Sequence, residues 1–173
     1  LVIQIESEET DIEQINQSAY FVIEERKGPM LRYLIKENDL QQVLIFTASS
    51  FKADNVAKKL TANGIDARAI HGKKTQGSRK EALLDFKRGK IRALVATDLL
   101  SRGIDIDKLP CVINYELPRS PKDYIHRIGR TGRADENGQA ISLITPETEQ
   151  HFKVIQKKMK KRVELIDCQD IDL

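Results

Sequence analysis

The sequence predicts an α/β domain on a mainly parallel sheet, and two features carry that reading. Short, β-rich apolar runs recur without the alternation of half-exposed strands, as strands covered on both faces require. Segments with helical spacing separate them, and two of these close on a glycine. A length of 173 residues with 40% hydrophobic content suffices for one sizeable core and falls short of two domains of ordinary size.

Residues 1–16 gather acids (Glu6, Glu8, Glu9, Asp11, Glu13) and read as an acidic interdomain linker. Tyr20 to Ile23 is a candidate strand, and Met30 to Lys36 a helix. Val43 to Phe46 is a buried strand followed by a helix over Phe51 to Asn63, which stops at Gly64, where a C-cap needs a residue tolerant of positive φ. The pattern repeats: strand Ala67 to Ile70, helix Gly77 to Lys87 closed by Gly89, strand Ala93 to Ala96 and strand Cys111 to Tyr115. Pro121 to Ile128 is a helix, Asp135-Glu136-Asn137-Gly138 a polar reverse turn, and Ala140 to Ile144 the sixth strand. After Pro146 comes a closing helix, spanning Phe152 to Arg162, with Phe152, Ile155 and Met159 on its packing face and a short tail behind it. The domain body is thus residues 17–146, with 147–173 as its C-terminal helix and tail.

Lys+Arg 29 against Asp+Glu 26 leaves a net charge of +3, so any nucleic-acid surface must come from local clustering. The basic run Lys153, Lys157, Lys158, Lys160, Lys161, Arg162 reads first as a solvated face. Cys111 and Cys168 fit neither a disulfide framework nor a metal-ligand spacing, which suits a reducing cytoplasm. No apolar stretch reaches the length of a membrane span, and the N-terminal residues lack the order of a signal peptide, so no membrane partner is expected.

Gly72-Lys73-Lys74-Thr75-Gln76-Gly77-Ser78 places two glycines at P-loop spacing between a strand and a helix. A P-loop needs Lys after the second glycine to neutralise the outer phosphates, and Ser78 and Arg79 stand there instead. The strongest signal is His126-Arg127-Ile128-Gly129-Arg130-Thr131-Gly132-Arg133, with three arginines and two glycines at a helix end. Permanently charged guanidinium groups that grip two oxygens suit a phosphate gaining charge in a transition state.

That octet resembles motif VI of the DEAD-box RNA helicases residue for residue. Ala96-Thr97-Asp98-Leu99-Leu100-Ser101-Arg102-Gly103-Ile104-Asp105 is similar to motif V, Val43 to Ser49 to motif IV, and Gln76-Gly77-Ser78-Arg79 to the QxxR element. The four occur in the family's order, and the pattern around Gly138 to Leu143 resembles bacterial members. The resemblance implies a RecA-like three-layer domain, a mainly parallel central sheet flanked by helices, forming the C-terminal lobe of an ATP-dependent RNA helicase.

It further implies that Arg130 and Arg133 are arginine fingers for ATP held with Mg2+ by an N-terminal lobe, a contribution of about 10³ to 10⁵ in rate among nucleotide hydrolases. By the same resemblance Gly103 and Asp105 meet the ATP ribose, and His126 and Arg127 tie the loop to the opposing lobe and the nucleotide. Ser49, Gln76, Arg79 and Thr97 would hold the RNA sugar-phosphate backbone, which positions a strand without reading it. Expected partners are RNA, the N-terminal lobe and accessory RNA-processing proteins, and the fragment alone is expected to be inactive. Two departures stand out: His71-Gly72-Lys73 where many members carry His-Gly-Asp, and Ser49-Ser50 where motif IV often has Thr and a basic residue. Few aromatics accompany the basic residues, so base stacking has little sequence support. The competing readings are the second lobe of a DNA helicase or translocase, and a stand-alone RNA-binding or regulatory module.

Overall fold

The computed structural model describes residues 12–98, 106–132 and 138–173. In chain order these form β1 (Ile15–Phe21), a 3-10 turn (Glu24–Arg26), α1 (Lys27–Glu37), β2 (Val43–Thr47), α2 (Ser50–Ala62), β3 (Ala67–Ile70) and α3 (Gln76–Lys87). They continue with β4 (Ala93–Thr97), β5 (Cys111–Asn114), α4 (Pro121–Ile128), β6 (Gly138–Ile144), α5 (Glu149–Met159) and β7 (Leu165–Asp167).

The strands make one seven-stranded sheet in the order β3-β4-β2-β5-β6-β1-β7, every pair parallel. Parallel neighbours need crossover connections, and these place helices on both faces. Along β2 the side chains alternate between the two faces. Val43 and Ile45 pack with Met30, Leu34 and Ile35 of α1 and with Val56 and Leu60 of α2. Leu44 and Phe46 point the other way, onto Ala82 and Phe86 of α3 and onto Ile106 and Leu109. On that second face, a third cluster joins Tyr124 and Ile128 of α4 and Phe152, Ile155 and Met159 of α5 to Ile15, Ala19, Ala140 and Ile144. Burial on both faces is why β2, β4 and β5 read as continuous apolar runs.

Gly64 at φ +86 and Gly89 at φ +78 follow α2 and α3 in the left-handed conformation expected of them. Other boundaries differ from expectation. The first strand starts at Ile15, not Tyr20, and ends before Ile23, which is half exposed. Its middle, Asn16-Gln17-Ser18, is polar, and Gln17 is accommodated because its amide oxygen accepts from Tyr124 Oη at 2.9 Å. Ile12, before the strand, is also buried. Helix α1 begins at Lys27 rather than Met30, with Pro29 still inside the first turn, where a missing N–H costs nothing. The expected terminal tail contains β7, which pairs Ala19 to Phe21 of β1 with Leu165 to Asp167.

The closing helix ends at Met159, because Lys160 turns left-handed at φ 59 and ψ 34. Lys160 to Arg162 therefore lie beyond it, and Lys161 Nζ donates to Ile12 O at 3.3 Å. A left-handed residue with a Cβ is strained by about 1 kcal/mol or more. Lys160→Gly should accordingly raise the urea midpoint of unfolding, by about 1 kcal/mol of stability, whereas an unchanged or lower midpoint would show that the lysine side chain stabilises this turn.

Candidate functional site

In parallel sheets ligands gather beyond the carboxyl ends of the strands. Four candidate residues lie there. Thr47 and Thr97 are register partners at the ends of β2 and β4. Thr97 is buried, and its hydroxyl has no hydrogen-bond partner among the described residues, an unusual condition for a buried polar group. Ser49 caps α2, its Oγ accepting from Lys52 N at 3.1 Å, and Thr75 caps α3 by accepting from Ser78 N at 3.1 Å. Gln76 and Arg79 consequently sit in the first turn of α3, Gln76 exposed and Arg79 partly so.

The loop from β3 to α3 is anchored by a residue to which the sequence reading assigned no role. His71 is buried, with Nε2 2.9 Å from Asp54 Oδ1 on α2, while its Nδ1 accepts from Lys73 N at 3.2 Å. The backbone donor at Nδ1 leaves the proton on Nε2, facing the carboxylate. Burial pushes the Asp54 carboxyl upward, but the hydrogen bond to His71 and the nearby Lys74 ammonium hold it below the usual carboxylate range. His71 thus ties α2 to the loop that presents Gln76 and Arg79.

Arg127 was expected at the nucleotide and the opposing lobe; the structure turns it inward. It has no exposed surface. Its Nε and Nη2 donate to Asp98 Oδ1 and Oδ2 at 2.6 and 2.7 Å, a two-point grip on the carboxylate. Nη1 donates to Asn114 Oδ1 at 3.1 Å and to Glu116 O at 2.6 Å, and the guanidinium lies 5.0 Å from the Phe46 ring centroid. The network continues inward: Asn114 Nδ2 donates to Ser142 Oγ at 3.1 Å, and Tyr124 Oη lies 3.4 Å from the same hydroxyl. Burial pushes the Tyr124 phenol up to about 12, so it stays a neutral donor. His126, the neighbour of Arg127, is partly exposed on α4.

Arg130 follows the end of α4 and leans on the segment leading into β5, its Nη1 donating to Ile106 O at 3.3 Å. Burial draws its pKa down while Asp107 raises it, and a guanidinium so placed stays charged. The backbone beside it is pinned: Leu109 N donates to Arg130 O at 3.0 Å, and Thr131 Oγ1 donates to Leu109 O. Gly132 is left-handed at φ +82, and a Cβ on Gly138 would collide with Gly132 N and Thr131 Oγ1. Gly138, expected in a turn, is instead the first residue of β6, and its missing side chain admits the 131–132 backbone. The candidates therefore form two groups. Ser49, Gln76, Arg79 and Thr97 gather at the strand ends, and Arg130 stands beside the segment that enters β5. Arg133, Gly103 and Asp105 lie outside the described residues.

A parallel sheet of this order, carrying the QxxR and arginine-rich motifs on its crossovers, defines a helicase C-terminal lobe. The Helicase conserved C-terminal domain family matches residues 26–135, and the chain belongs to it. More particularly, it is a C-terminal domain of DEAD-box type. It is 34% identical over 170 residues, 98% of its length, to the DEAD-box ATP-dependent RNA helicase CshA of Bacillus cereus, of which the match spans 32%. The chain therefore covers about a third of that relative. The crystal structure of a DEAD box protein from Methanococcus jannaschii superposes with a TM-score of 0.82 at 39% identity, over 90% of this chain and 42% of that one. S. cerevisiae Dbp5 bound to RNA and ADP BeF3 gives a TM-score of 0.79 at 31% identity, over 89% of this chain and 41% of that one.

Removing Arg127 would take a donor from Asp98, Asn114 and Glu116. Arg127→Met should cost about 3 kcal/mol in urea unfolding, and Arg127→Lys, which keeps the charge but not the fork, about 2 kcal/mol. A lysine variant as stable as the parent would show that charge alone, without two-point geometry, suffices. Gly138→Ala should destabilise by about 2 kcal/mol through overpacking, with amide exchange accelerated first around Thr131 and Gln139; no change in either quantity would mean that the loop yields freely.

Proposed function

We propose that this chain is the C-terminal lobe of an ATP-dependent RNA helicase, supplying arginines to ATP held by an N-terminal lobe and gripping RNA by its sugar-phosphate backbone. The observation that carries this reading is the buried Asp98–Arg127 pair, because it joins the crossover after β4 to the arginine-rich end of α4. One motif bears the proposed ribose and RNA groups, the other the proposed fingers. Arg130 would meet the γ-phosphate together with Arg133, with Gly103 and Asp105 against the ribose and His126 at the lobe boundary. ATP supplies the transferable phosphoryl group, and its phosphate cradle and magnesium ligands belong to the other lobe. This chain contributes fixed positive charge where negative charge develops, an electrostatic effect that needs prior placement.

For RNA, the Thr97 hydroxyl, the Gln76 amide, the Arg79 guanidinium and the α2 start at Ser49 offer backbone donors at one sheet edge. Such contacts place a strand without reading its sequence. The Dbp5 structure bound to RNA and ADP BeF3 supports a shared use of the fold. Closure of two lobes over ATP would bend and hold one strand, and hydrolysis would release it.

The test joins the chain to a DEAD-box N-terminal lobe through a flexible linker and measures RNA-stimulated ATP hydrolysis. Activity should appear in the joined protein, be negligible in the chain alone, and fall about 10³-fold or more in Arg130→Ala. Equal hydrolysis by the isolated chain, or full activity in Arg130→Ala, would refute this division of labour.

A further inference from the structure

Phe51 is the most exposed large apolar side chain among the described residues, with 77% of its surface open. It lies in the first turn of α2, two residues after the cap Ser49, and takes no part in the three core clusters. The helix buries Ala53, Val56, Ala57 and Leu60 instead, so the fold makes no demand for a phenyl group at this place. Helical side chains tilt towards the helix N-terminus. Because α2 starts just past the end of β2, its first turn, with Phe51 on the face opposite the buried one, lies at the same end of the sheet as Ser49 and Thr97.

We infer that Phe51 is a stacking platform for one RNA base, so that the chain holds its strand by a base as well as by the backbone. This rests on the RNA reading above. An aromatic face in water gains from stacking on any base, whatever the sequence, and basic neighbours track the phosphates beside it. Lys52 follows Phe51 directly and is partly exposed. A protein partner fits the position less well, because an interface anchor is ringed by other packed contacts. Among the described residues, the other large exposed apolar side chains, Ile23, Leu84, Val154 and Leu173, all lie off α2.

The experiment uses the same lobe-joined protein with a non-hydrolysable ATP analogue and measures its affinity for single-stranded RNA by fluorescence anisotropy. One series of RNAs carries a single abasic nucleotide, stepped along the strand. Phe51→Ala should weaken binding of intact RNA about tenfold. One abasic position should weaken the parent by a similar factor and leave Phe51→Ala unaffected, and Phe51→Tyr should restore the parent behaviour. An Arg79→Ala control separates the two readings. If Arg79→Ala weakens binding and Phe51→Ala does not, or if Phe51→Ala loses affinity equally on every abasic RNA, the stacking role is wrong and the backbone grip stands. If the joined protein binds no RNA, the RNA reading fails and the stacking role falls with it.

Discussion

A guanidinium without exposed surface loses its hydration, a penalty of several kcal/mol unless partners replace the lost water. In this domain the partners of Arg127 come from the ends of adjacent strands. Asp98 follows β4, Phe46 lies near the end of β2, Asn114 ends β5, and Glu116 begins the connection to α4. Each is held by a different part of the sheet, so the site exists only when β4, β2 and β5 are in their native register and α4 is docked on them. A slip of one residue would turn Phe46 and Asn114 to the opposite face. The buried charge therefore adds little net stability, yet it penalises every misaligned arrangement of the strand ends.

Two consequences follow for the surface. Glu116 has a second role: its side-chain Oε1 accepts from Ala48 N at 2.8 Å, so the residue whose carbonyl receives Arg127 also fixes the turn that launches α2. Ser49 and Phe51 inherit their position from that turn. At the far end of α4, the backbone of Arg130 and Thr131 is laced to Leu109, and Gly138 leaves room for it. The C-terminal end of α4 is thus fastened twice, through Arg127 to the connection that follows β5 and through Arg130 and Thr131 to the segment that enters β5. A movement that displaced Arg130 would strain the buried network before it reached Ser49. Such bracing would suit the proposed donors, whose effect depends on prior placement.

Most of the architecture was legible because burial on both faces leaves a simple compositional trace, as in Val43 to Phe46 and Ala93 to Ala96. The first strand left a weaker trace, since its middle is polar: Asn16 is exposed, and Gln17 is satisfied by distant Tyr124 and Met159. The end of α5 was illegible for a different reason: a lysine, not a glycine, takes the left-handed turn. At the site, motif order singled out Arg130, Thr97, Gln76 and Arg79 as candidates. It misplaced Arg127, because an arginine among arginines reads as exposed, and the residues that bury it are scattered between Phe46 and Glu116. The role of His71 was hidden similarly, since its partner Asp54 lies 17 residues away on another element.

Charge pairing says more about the strand ends than the net charge of +3 does. Among the described residues, three acids at the strand ends are engaged: Asp54 with His71 and Lys74, Asp98 with Arg127, Glu116 with the Ala48 amide. Farther along β3, Arg68 faces Asp85 at 3.3 Å and Glu81 at 3.6 Å. An acid paired with a cation contributes little field beyond about 10 Å at moderate salt. Global charge averages over the pairs; a phosphate at the strand ends meets only what pairing leaves over. The proposed backbone recognition would need no more than such a local surplus, since contacts to phosphates position a strand without selecting its sequence.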